Sequence, residues 1–239
     1  YQGLKFHVEQ AKGRVVVACF GSNIARLHTL ARIADETGRH LGLLGRSLIN
    51  TVSAAKNVGL WNSVKTSVDS AHLGFLPAHT VLLVATGSQG EPRTALNRLS
   101  LNSFRDMQLS PGDTVIFSSK VIPGNELAIA TLIERLKVMQ VDVIDIDNSA
   151  LPIHASGHPA SEELKTMYQW VQPQCAIPVH GELMHMKANA KIAKASGVRQ
   201  QLLGQNGDLF YIAPVNGIRR GAVKTGRWGL FDRKSLKKL

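Results

Sequence analysis

The chain has 239 residues, of which 44% are hydrophobic, 19% charged and only 5% aromatic, and its net charge is +11. Such a composition excludes a disordered chain, and the shortage of aromatics argues against a stacking platform for single-stranded nucleic acid. The length suits one large domain or two small ones.

In chain order, apolar β-branched runs alternate with helically spaced ones. Strands are predicted over 14–20, 41–44, 81–86, 114–118 and 141–146, and helices over 24–37, 47–58, 94–101 and 125–139. This alternation predicts an α/β fold with a parallel sheet wrapped by helices, whose ligands gather at the carboxyl ends of the strands. The predicted strand ends read GSN at 21–23, GRS at 45–47, TGSQGEP at 86–92 and SSKVIPGNE at 118–126. A single loop of this kind is what turns and helix caps require. Four on one edge, with Arg46, Arg93 and Lys120 in or beside them, favour anion binding at helix starts. TGSQGEP lacks the Lys-Ser/Thr of a P-loop and no strand is followed by GxGxxG, so a nucleotide kinase or dehydrogenase is disfavoured.

The pattern changes near residue 147. HASGHP at 154–159 leads into a helix predicted over 161–171, then a strand at 175–179, PVHGE at 178–182, a helix over 183–196 and a strand at 209–213. A second boundary is placed near 214. From residue 219 onward, Arg219, Arg220, Lys224, Arg227, Arg233, Lys234, Lys237 and Lys238 oppose Asp232 alone, a net +7. A phosphate polymer and a merely solvated tail explain that excess equally well. Cys19 and Cys175 lie in apolar runs without any CxxC, which suits free thiols in a reducing cytoplasm. No apolar run is long enough to span a membrane.

His154 and His180 each stand where an extended run gives way to a loop, a place where imidazoles converge on a metal or a phosphate. Taken alone, each is better read as a satisfied structural histidine, as are His7, His28, His40, His72, His79 and His185. Glu91 suits a helix cap or a pairing with Arg93, and Glu182 suits a first-turn helix acid.

Together, GRVVVACFGSNIARL, TGSQGEP, SSKVIPGNE, HASGHP and PVHGE resemble, in order and spacing, the β-CASP branch of the metallo-β-lactamase nucleases, and within it the ribonuclease J group. The resemblance covers about 12 to about 213. It implies a β-CASP domain over 1–146, the returning C-terminal part of a metallo-β-lactamase αββα domain over 147–213, and a basic linker over 214–239. The implied activity is a zinc-dependent ribonuclease, both endonuclease and 5′-to-3′ exonuclease, acting on RNA in the cytoplasm as a homo-oligomer, dimer or tetramer. Two Zn2+ ions are implied, most of whose ligands belong to an HxHxDH motif and its neighbours. No HxHxDH occurs here, so the chain is expected to be an inactive piece of a longer protein that starts before Tyr1. By the same resemblance His180 is a metal ligand and His154 faces the scissile phosphate as a catalytic residue. Ser156, Gly157, Ser22, Asn23, Arg46, Ser88, Gln89, Ser118, Ser119 and Asn125 are then RNA- or phosphate-binding residues. The competing implication is a non-catalytic RNA-binding module of a degenerate β-CASP protein. A hydrolase of small substrates fits the charge less well.

Overall fold

The computed structural model describes residues 1–61, 67–232 and 235–238. They form two compact units, Tyr1–Ser156 and Gly157–Leu239.

The first unit is the predicted α/β sheet. Strands β1 (Val15–Ala18), β2 (His40–Leu44), β3 (Val81–Ala85), β4 (Thr114–Phe117) and β5 (Asp142–Ile144) lie in the order β2-β3-β1-β4-β5, and every pairing is parallel. Near-continuous apolar strands such as VVVA and VLLVA form here because both faces are covered, so alternation with polar residues would be unfavourable. Successive side chains point to opposite faces. Val15, Val17, Leu82, Val84 and Ile116 therefore pack with Leu27, Leu30 and Ile33 of α2 (Ile24–Glu36) and with Leu48 and Val52 of α3 (Arg46–Asn57). On the other face Val16, Ala18, Leu83 and Val115 pack with Leu73 of α4 (Ser70–Leu73), Leu96 and Leu99 of α5 (Ala95–Ser100), and Ile129, Leu132 and Leu136 of α6 (Glu126–Val138). Each fully buried Val, Leu or Ile side chain among them contributes about 1.5–3 kcal/mol.

Two α-helices among the described residues lie outside the predicted ranges, α4 and one at the start of the chain. α1 (Gln2–Gln10) presents only Leu4 and Val8 to the core, a stripe too short to register as amphipathic. Its C-terminal end is held by Arg39, whose guanidinium donates to the carbonyls of Val8, Ala11, Gly13 and Val81.

In the second unit α7 (Ser161–Val171) and α8 (Leu183–Ala195) fall where expected, and Tyr168, Ala176, Ala193 and Val198 form a small core. The expected strand over 175–179 is only β6 (Cys175–Ala176), paired in parallel with β7 (Gln200–Gln201). Pro178 lacks the N–H needed to continue the ladder. β8 (Leu209–Tyr211) pairs antiparallel with β9 (Gly217–Arg219). Within the basic tail, β10 (Trp228–Phe231) and β11 (Ser235–Lys238) form a hairpin. Arg233 and Lys234 of the basic run lie outside the described residues. Among the described residues no helix is long and apolar enough to cross a membrane.

Candidate nucleic-acid interface

Because all five strands of the first unit are parallel, the loops after β1, β2, β3 and β4 emerge on one edge, and the strand order reverses beside β1. The loops after the first three enclose a cavity of about 740 Å3, lined by Gly21, Arg46, Ser47, Ser88, Arg93 and Arg98 among others. The loops on this edge rest on glycine. Gly45 has φ +132°, and a Cβ there would lie 2.7 Å from the Thr86 hydroxyl. Gly90 has φ +72°, and a Cβ would come within 2.7 Å of the Ala128 backbone carbon. At both positions a side chain would add backbone strain to a steric overlap.

The residues expected at this edge divide by exposure. Ser22, Asn23, Arg46 and Lys120 are exposed. The Asn23 carboxamide oxygen accepts from the Arg26 amide and so caps α2. Ser88, Gln89, Ser118 and Ser119 are buried. Gln89 is a clamp between two loops: its carboxamide donates to the Lys120 carbonyl at 2.9 Å and accepts from the Ile122 amide and the Asn125 side chain. Glu91, doubtful beside an anion, accepts from the Gln89 amide at 3.0 Å and closes its own loop.

His154 follows the buried Ile153 and lies at the end of β4. Its Nδ1 is 2.9 Å from Nη1 of Arg26 and 3.1 Å from the Ser118 carbonyl. Burial, then the Arg26 and Lys120 charges, hold the imidazole below its ordinary range, against the raising effect of the Ser118 carbonyl. At neutral pH the ring is therefore uncharged. Burial also pushes the Cys19 thiol up to about 11, with Arg26 pulling the other way, so Cys19 is an inert thiol. Ser156 and Gly157 are exposed, as the last residue of the first unit and the first of the second.

His180 belongs to the second unit. It is exposed, sits between β6 and α8 and has φ +69°, uncommon for a side chain of its size. It lines a cavity of about 720 Å3 with Pro178, Gly181, Gly204 and Asp208. Glu182 is the N-cap residue of α8. Asp208 is committed elsewhere, accepting from the Gln205 and Gly221 amides and from Arg220. The Gln205 and Gly221 amides, then Arg220, hold its carboxyl down to about 2. A depressed carboxyl stabilises the fold above its unfolded value near 3.8 and loses that contribution as pH falls through about 2. Hydrogen exchange at Gln205 and Gly221 is therefore expected to lose protection between pH 5 and pH 2. Asp208→Asn should already show low protection at pH 5; equal protection in both proteins would contradict this.

Among the described residues no three His, Cys, Asp or Glu side chains are grouped to hold a metal ion. A zinc site takes three or four protein donors, and His180 is a single one. The described residues therefore do not by themselves fit the implied zinc centre.

Sequence reasoning missed Arg26 and Arg98. Both lie on helices just beyond strand ends, one turn or less from the loop, and a cation in that position was the available signal.

Residues 12–136 match the family model for the ribonuclease J beta-CASP domain, and residues 152–201 match that for the Zn-dependent metallo-hydrolase RNA specificity domain. The parallel α/β sheet and its loop-lined edge are thus a β-CASP domain, followed by a metallo-hydrolase RNA-specificity segment. Ribonuclease J of Sinorhizobium meliloti is 41% identical over 207 residues, 87% of this chain and 36% of that protein. Those of Mycolicibacterium smegmatis and Helicobacter pylori J99 are 35% and 33% identical, each over 92% of this chain and over 40% and 32% of their own lengths. The chain belongs to the ribonuclease J family. It spans well under half the length of these relatives.

Proposed function

We propose that this chain is the RNA-holding portion of a zinc-dependent ribonuclease that hydrolyses phosphodiester bonds as both an endonuclease and a 5′-to-3′ exonuclease. The observation that carries this is the convergence, on the carboxyl edge of one parallel sheet, of exposed Ser22, Asn23, Arg46 and Lys120 with the neutral His154. The family membership supports the same activity.

Hydroxyl, amide and guanidinium donors on that edge bind phosphate oxygens and set the register of a single strand without reading its bases. Ser88, Gln89, Ser118 and Ser119 work beneath them as the buried frame that fixes the loops, with Asn125 bridging the two layers. Ser156 and Gly157 are, in this reading, further phosphate-binding residues. His154 donates to a phosphate oxygen or moves a proton there. His180 supplies one donor to a metal whose other ligands lie outside this chain, and in this reading the β-CASP domain ends near residue 146.

The proposal is tested by joining this chain to the remaining donors and incubating the complete protein with end-labelled RNA. Shortening from the 5′ end together with internal cleavage is expected. RNA that is bound but left intact would instead favour a non-catalytic RNA-binding module.

A further inference from the structure

We infer that Arg26 is a positioning residue for His154: it fixes the ring as the Nε2–H tautomer and fastens the HASG loop to the end of β4. The geometry leaves little choice. Nη1 of Arg26 lies 2.9 Å from Nδ1 of His154 and 3.1 Å from the Ser118 hydroxyl, and it also donates to the Ser118 carbonyl. Nη2 donates to the Ala155 carbonyl at 3.1 Å. The Ser118 hydroxyl in turn donates to the Ile153 carbonyl at 2.6 Å. One guanidinium thus contacts the strand end, the ring and the residue after the ring.

A guanidinium has no acceptor and keeps its protons, so an imidazole nitrogen facing it must present a lone pair. In a neutral ring the proton then resides on Nε2, the nitrogen turned away from Arg26. A proton on Nδ1 would reach the Ser118 carbonyl at 3.1 Å only by facing the closer N–H of Arg26 at 2.9 Å, which disfavours it. The charged groups facing the ring are Arg26 from α2 and Lys120 from the loop after β4, both of which disfavour the imidazolium; burial acts in the same direction. Arg26 itself stands beside the buried Cys19 at the β1 end, whose protonated thiol adds no countercharge. If the proposed function holds, Nε2–H is the group His154 turns to phosphate.

The test is a long-range 1H–15N correlation spectrum of the 239-residue chain labelled at histidine, recorded across pH. The wild type is expected to show His154 with Nδ1 bare and Nε2 protonated at pH 7.5. Arg26→Met should move the proton to Nδ1, which can then donate to the Ser118 carbonyl, and should raise the titration midpoint of the ring. Arg26→Lys, which keeps a donor, should retain the wild-type tautomer. A wild-type ring protonated at Nδ1 would overturn the inference outright, with no variant required. So would an unchanged His154 pattern in Arg26→Met with a native amide spectrum. Neither RNA nor metal enters these spectra, so absence of RNA binding would remove the proposed function while leaving this result standing.

Discussion

In the complete protein, His154→Ala is expected to lower RNA turnover by roughly 10²–10⁴-fold, the usual contribution of a positioned proton-transfer group, while bound zinc is largely retained. His180→Ala should instead lower zinc content and turnover together. The division follows from where the two rings sit. His154 is half-buried, with one nitrogen committed to Arg26 and the end of β4, a setting that keeps the ring neutral and leaves its other nitrogen for an anion. His180 is exposed at a cavity lip and occupies a left-handed backbone conformation, a form of strain that clusters at functional positions. Metal analysis of the two purified variants beside their single-turnover rates checks this. Equal zinc loss in both would refute the assignment of roles.

A second large effect is expected far from that edge. Arg39→Met should destabilise the first unit by about 3 kcal/mol, because hydrogen bonds from a charged donor are worth about 1.5–3 kcal/mol each and partly buried carbonyls lose their partner. Arg39 joins the end of α1, Gly13 just ahead of β1 and the first residue of β3 through four carbonyls. Methionine keeps much of the side-chain volume, so the change isolates the polar contacts from packing. Urea unfolding followed by Trp61 fluorescence reports it, since Trp61 is buried in the same core. A loss below about 1 kcal/mol would mean that water replaces the guanidinium. Arg39 lies at the amino edge of the sheet, so RNA binding under folding conditions should be unchanged.

The five strands and α2, α3, α5 and α6 were legible in the sequence because doubly covered strands are written as unbroken apolar runs such as VLLVA, and these helices carry 3.6-residue spacing. Short elements were not: α1 buries two apolar residues, and β10 and β11 mix Trp228 and Leu230 with lysines, so neither period is sustained. At the candidate site, the four loops could be placed on one edge from topology alone. What could not be read was depth. Gln89 and Ser118 have the chemistry of phosphate ligands but lie beneath the surface, where Gln89 clamps two loops and Ser118 anchors Arg26. Arg26 showed only its position in the first turn of α2; its role rests on Ser118, Ala155 and a ring 128 positions away, which no local pattern encodes.

The proposed seat of the RNA backbone is the carboxyl edge of the β-CASP sheet. It is tested most directly by titrating this chain with a fluorescent single-stranded RNA at several salt concentrations. With roughly three cationic contacts, among them Arg46 and Lys120, the plot of log affinity against log salt should fall with a slope of about −2. Arg46→Glu should weaken binding and reduce the slope by roughly one. Binding that is absent, or that is unaffected by salt and by Arg46→Glu alike, would contradict the account.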